Sequence, residues 1–174
     1  MTPLAWLDAL DDAACAAALA PLFEGAPRFL ARLCAARPFT DWPTLLDRAR
    51  EIARSMPEDE QVELVDAHPR LGAPPGSVST ASFVEQGYDR EAAGAAAESE
   101  RRRVDAELAR LNAAYEARFG FRYCVFVAGR PRAALLPGLV AALDADRASE
   151  LARALEAVID IAADRLRHSS ASSP

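Results

Sequence analysis

His68 is one of only two histidines in the chain; the other, His168, lies in a serine-rich C-terminal stretch. His68 falls within "VDAHPRLGAPPG" (65–76), where an apolar helical pattern stops just before a proline. A residue preceding proline is disfavoured in αR geometry, so a helix is expected to end at or just before it. An imidazole titrates near neutral pH, which makes histidine the usual general acid or base. The alternative is a helix-end histidine that bonds a nearby carbonyl and complements the helix dipole. No second interior histidine or cysteine cluster completes a metal shell, so no metal is expected.

Two further groups could do chemistry. In "STASFVEQGY" (79–88), Ser82 and Glu85 have the S-x-x-E spacing of a capping box. Alternatively, the adjacent Glu85 and Gln86 can bind a urea-like group, because a carboxylate takes two N–H donors and an amide both donates and accepts. Arg165 borders an apolar helical face, while Arg167 points elsewhere. A bordering arginine usually snorkels to water. Turned inward it would need an anion, and its planar fork suits a carboxylate. No GxGxxG, P-loop, GxSxG or HExxH pattern occurs.

Helices must position these groups. Asp11 or Asp12 can cap "DAACAAALAPLF", Pro27 suits the first turn of "PRFLARLCAAR", and Asp41 can cap a helix with Pro43 near its start. Pro57 opens "PEDEQVELVDA", which should end at His68, and a loop covers 72–79. Thr80 or Ser82 can cap a short turn, followed by a long polar helix over about 91–118 that Gly120 ends. Its Glu98–Arg102 and Glu100–Arg103 pairs make the triple arginine a solvated face. "FRYCVFVAG" is the one strand-like run, and a single strand makes no sheet, so 121–128 is expected to be a buried extended connector. Thr2-Pro3 should open a short helix, Pro137-Gly138 should break one, and "DRASELARALEAVIDIAADRLRH" is strongly amphipathic. The expected class is all-α, a compact irregular bundle forming one domain over 1–168, with a disordered tail over 169–174.

The 174 residues are 51% apolar and 26% charged, a globular balance. A net charge of -6 argues against general nucleic-acid binding. Cys15, Cys34 and Cys124 are odd in number and far apart, which supports neither a disulfide framework nor a zinc site and suggests a reduced cytoplasmic setting. The opening "MTPLAWLDALDD" lacks the basic region of a signal peptide, and no apolar run approaches the roughly 18 residues that span a bilayer.

Taken together, "HPRLG" (68–72), "SFVEQG" (82–87), "LNAAYEARFGFRYCVFVAGR" (111–130) and "EAVIDIAADRL" (156–166) resemble the 2-oxo-4-hydroxy-4-carboxy-5-ureidoimidazoline (OHCU) decarboxylase family of urate breakdown. The opening, with "FLARLCAARPF" before "LLDRAREI", is similar too. The resemblance implies an all-helical homodimer that needs no cofactor or metal and converts OHCU to (S)-allantoin. It implies that His68 is catalytic, with Pro69 lining the pocket beside it. Ser82, Glu85, Gln86 and Arg165 would bind substrate, and Tyr123, Cys124 and Val125 would contact it largely through their backbone. Arg122 stands where the family commonly shows proline, a departure that backbone contacts over 121–128 should tolerate. The alternatives are a related cofactor-free lyase or isomerase acting on another ureido or imidazole acid, or a helical interaction module without catalysis.

Overall fold

A computed structural model describes residues 4–91 and 94–171. Among these residues every regular element is helical and no strand occurs, so the protein is all-α. The described residues fall into two compact units. The first comprises residues 4–68 and 151–171, and the second 69–150.

The first unit opens with α1 (Ala5–Asp8) and α2 (Asp12–Leu19). The Thr2-Pro3 start lies outside the described residues. Asp11 caps α2 by accepting a hydrogen bond from the Ala14 N–H at 2.8 Å. A 3-10 turn, Ala20–Leu22, leads to α3 (Pro27–Ala35), which begins on its proline. Asp41 caps α4 (Trp42–Ser55) through the Thr44 N–H at 2.9 Å. In α5 (Glu58–Asp66) three acidic residues sit in the first turn, where the helix dipole favours them.

Phe23, Phe29, Leu33, Leu45, Leu64 and Val158 are fully buried in the chain. Each contributes about 1.5–3 kcal/mol over an exposed position. The Phe23 and Phe29 rings meet edge to face, 4.9 Å apart.

One expectation fails here. Cys15 on α2 and Cys34 on α3 form a disulfide, with their Cα atoms 6.1 Å apart. Nineteen residues separate them in sequence, and only the packing of α2 on α3 brings the sulfurs together. Cys124 is buried and free. In denaturant without reductant, one thiol is therefore expected to titrate, rising to three after reduction. Three reactive thiols from the start would show that the bridge is absent.

The second unit holds α6 (Thr80–Glu85), α7 (Ala95–Phe119) and α8 (Leu136–Ala142). Ser79 caps α6, its hydroxyl accepting from the Ser82 N–H at 3.1 Å. Neither Thr80 nor Ser82 is the cap, and Glu85 closes the helix instead of completing a capping box. The helix starts one turn before the S-x-x-E frame would place it.

Helix α7 begins after Gly94 rather than at Glu91, and Gly120, left-handed at φ 79°, ends it. Glu91 instead pairs with Arg132 at 2.5 Å and Arg101 at 3.4 Å. The Arg102–Glu98 and Arg103–Glu100 pairs, at 3.3 and 2.8 Å, lie on an exposed face of α7 as the spacing implied.

After Gly120 the chain runs without regular structure through Val127, and Phe121, Tyr123, Cys124 and Val127 are buried. The strand-like composition thus serves an aromatic cluster. The rings of Tyr115 and Tyr123 are 5.2 Å apart, and those of Tyr115 and Phe121 are 5.7 Å apart. Pro137 does not break a helix; it occupies the first turn of α8, where its missing N–H costs nothing.

Helix α9 (Arg147–Ala171) starts at the second unit's boundary and supplies the rest of the first unit. It runs through Ala171; of the 169–174 tail, residues 172–174 lie outside the described residues. Among the described residues no helix is long and apolar enough to cross a membrane.

Candidate active site

His68 ends α5 as the His-Pro junction requires. The α5 C-cap is Ala67, and the His68 N–H donates to the Val65 carbonyl at 3.1 Å. The side chain folds back into the core and is 3% exposed. Its Nδ1 lies 3.2 Å from the Leu64 carbonyl oxygen. A carbonyl only accepts, so Nδ1 carries the hydrogen, and in the neutral ring Nε2 holds the lone pair. The helix-end contact and the acid/base reading are therefore compatible, because one nitrogen serves each.

Burial pushes the His68 pKa down to about 4, and the positive charge of Arg165 pushes the same way. The Leu64 carbonyl and the Glu24 carboxylate oppose the shift without cancelling it. The imidazole is thus neutral at pH 7 and its Nε2 is basic in kind, an acceptor rather than a donor.

This has a consequence for stability. The folded pKa lies below the unfolded value near 6.5, so protons favour the unfolded chain. The contribution is fully present above pH 6.5 and is lost as pH falls towards 4, amounting to about 3 kcal/mol at most. In a His168→Gln background, which leaves a single imidazole, NMR titration should place the midpoint near 4 and urea midpoints should drop between pH 7 and 4.5. A midpoint near 6.5 would mean the ring is solvated.

Arg165 does not snorkel. Its side chain is 7% exposed, and its NH2 donates to the Glu24 carboxylate at 2.6 Å. Its NH1 donates to the Pro21 carbonyl at 2.7 Å. The anion that an inward arginine needs is supplied by the chain itself. Arg167 pairs with Asp164 on an exposed flank, as its position on the helix implied.

In the second unit the S-x-x-E-Q run divides by role. Ser82 is buried and Glu85 is partly exposed. Gln86 is buried and holds the loop that follows His68 and Pro69. Its Oε1 accepts from the Gly72 N–H at 2.7 Å, and its Nε2 donates to the Arg70 carbonyl at 3.1 Å. Gly72 has φ 79°, and a Cβ there would meet Leu108 Cδ1 at 2.9 Å, so this turn requires glycine. Asn112 on α7 fastens the same loop, donating to the Leu71 carbonyl at 2.9 Å. Pro69 is partly exposed at the loop's start. Tyr123 and Cys124 are buried and Val125 partly so.

The structure therefore places His68 and Arg165 in the first unit, and Pro69, Ser82, Glu85, Gln86, Tyr123, Cys124 and Val125 in the second. Sequence reasoning missed Glu24 and Asn112. The signal for Glu24 was an acid directly before Gly25, at the end of an apolar helix. Asn112 stood out only as an amide among the apolar positions of α7. Among the described residues, no group of three or more His, Cys, Asp or Glu could hold a metal ion.

The first, all-helical unit thus holds a buried neutral imidazole, His68, and a buried guanidinium, Arg165, that is paired with a carboxylate. The sequence model of OHCU decarboxylase matches residues 8–167, and the chain belongs to this family of carboxy-lyases. It is 28% identical over 148 residues to the "Uric acid degradation bifunctional protein PucL" of Bacillus subtilis, covering 85% of this chain but only 28% of that protein. It is 29% identical over 157 residues to the "2-oxo-4-hydroxy-4-carboxy-5-ureidoimidazoline decarboxylase" of Haloferax volcanii, covering 90% of this chain and 89% of that one. The fold resembles a crystal structure of OHCU decarboxylase in the presence of (S)-allantoin, with TM-score 0.66 and 22% identity over 90% of this chain and 95% of that one. It also resembles (S)-allantoin synthase, with TM-score 0.62 and 21% identity over 96% of this chain and 54% of that one.

Proposed function

We propose that this chain decarboxylates 2-oxo-4-hydroxy-4-carboxy-5-ureidoimidazoline to (S)-allantoin in urate breakdown, with His68 as the catalytic residue. The observation that carries the reading is the His68 tautomer: a buried neutral ring whose Nδ1 is tied to Leu64, which directs the lone pair to Nε2.

Loss of CO2 sends the electron pair of the broken C–C bond into the ring, where the neighbouring imine takes it up. The substrate hydroxyl becomes the carbonyl of allantoin, and the carbon bearing the ureido group gains a proton on one face. His68 Nε2 can accept the hydroxyl proton as CO2 leaves, and the ring can then return a proton. The carboxylate substrate consumes one proton for each CO2 released. Arg165 orients the departing carboxylate, and Ser82 and Glu85 take the ureido and ring N–H groups. The backbone of Tyr123, Cys124 and Val125 supplies further polar contacts. This is catalysis by positioning and electrostatics. In this reading Gln86 acts chiefly by holding the 70–72 loop, since its carbonyl is already engaged there.

We propose further that the protein acts in the cytoplasm as a homodimer, with no cofactor, metal, nucleic-acid or membrane requirement. The OHCU family assignment supports this, and the net charge of -6 argues against general nucleic-acid binding; with Cys15 and Cys34 bridged, cysteine usage no longer favours a reducing compartment.

The test generates OHCU in situ from urate with urate oxidase and hydroxyisourate hydrolase, and follows allantoin by circular dichroism. The chain is expected to speed the appearance of the (S) enantiomer, and chelator is expected not to slow it. Decay to racemic allantoin at the uncatalysed rate would refute the reading.

A further inference from the structure

Arg165 is paired in the interior with Glu24. Glu24 sits in the left-handed region at φ 51°, beside Gly25 at φ 77°. A non-glycine residue there is strained, because its Cβ crowds the following carbonyl oxygen. The glycine that would relieve the turn is one position away, so the strained position is kept for a side chain that has work to do.

That side chain is buried, 14% exposed, and its carboxylate meets the Arg165 guanidinium at 2.6 Å. The same turn aims two more oxygens at Arg165, the carbonyls of Pro21 at 2.7 Å and Leu22 at 3.5 Å. These belong to the end of the Ala20–Leu22 3-10 turn, where carbonyls lack partners within the helix. Three acceptors from four consecutive residues, 21–24, thus fix the plane of one guanidinium on α9. Both members of the pair act electrostatically on His68.

We infer that Glu24 is a positioning residue for the decarboxylation: it fixes the direction of the Arg165 fork and balances its buried charge, so that Arg165 recognises an anionic substrate by oriented hydrogen bonds. The inference rests on the proposed role of Arg165 in substrate binding. Without Glu24 the guanidinium would rotate about its long stem and would bind a substrate carboxylate as a loose point charge.

A purely stabilising ion pair predicts something different. It predicts loss of melting temperature with turnover intact. The experiment is a double-mutant cycle on kcat and KM for OHCU, using the full chain with Glu24→Gln, Arg165→Lys and the pair. Wild-type turnover is measured first; if it is absent, the decarboxylase reading fails and this inference falls with it.

Given turnover, Glu24→Gln is expected to lower kcat/KM about tenfold to a hundredfold, mostly through KM, because a misdirected substrate clamp loses about that much. In the Arg165→Lys background the same change should cost less than about twofold, since Glu24 acts only through the fork. Unchanged kinetics in Glu24→Gln, or the same fold-loss in both backgrounds, would overturn the inference. If Glu24→Gln does not fold, Glu24→Asp is used in the same cycle. Aspartate tolerates the left-handed backbone and keeps the charge, but falls one methylene short of Arg165.

Discussion

Replacing His68 with asparagine is expected to lower OHCU turnover by about 10²- to 10⁴-fold while the fold survives. Asparagine is similar in size and can still donate to the Leu64 carbonyl, so the end of α5 keeps its side-chain contact. It has no lone pair that accepts a proton near neutral pH, so the proposed base is gone. Stability should change little at pH 7. Below pH 6 the variant should be the more stable of the two, because it no longer carries a buried ring that must stay neutral. The measurement is the rate and enantiomeric excess of allantoin by circular dichroism, with thermal melts at pH 7 and 5. Wild-type rates of (S)-allantoin formation in the variant would reduce His68 to a helix-end residue.

The second large effect is expected at Arg165. Arg165→Met keeps much of the aliphatic bulk but leaves the Glu24 carboxylate buried without this partner. Breaking such a pair from one side costs about 3–5 kcal/mol, which for a chain of this size lowers Tm by about 10 °C. Arg165→Lys keeps the charge, and its single ammonium cannot reproduce the planar contacts to Glu24 and Pro21 together. Its Tm should fall less than that of the Met variant, and kcat/KM should still fall clearly. Equal Tm and equal kinetics in all three proteins would show that the guanidinium contributes neither to the fold nor to substrate binding.

Local chemistry explains why much of this protein is legible in its sequence. The helix starts at Pro27, Asp41 and Pro57 follow from φ restriction and capping, which involve only neighbouring residues. The end of α5 at His68 is also local, since the next residue's ring excludes αR. Gly120 ended α7 for the same kind of reason: its φ is one that other residues avoid. The order of "HPRLG", "SFVEQG" and the last amphipathic helix was enough to indicate the OHCU decarboxylase family.

Pairings across long stretches of chain were not legible, because periodicity describes faces and not which face meets which. Nothing near Cys15 or Cys34 marks them as partners until α2 packs on α3. The S-x-x-E frame of Ser82 and Glu85 suggested a cap, yet Ser79 took that place because the helix began one turn earlier. Gln86 is a ligand by type, and nothing local to it shows that its amide also holds the turn at Gly72. Arg165 could have faced water or the interior. Tertiary structure decided for the interior by placing the Glu24 carboxylate and the Pro21 carbonyl, 141 and 144 residues away in sequence, where a buried guanidinium can be satisfied. The sequence by itself determined the helices, their ends and the residue types available for chemistry. Only the packed chain decided which charges are paired, because burial makes an unpaired charge too costly to keep.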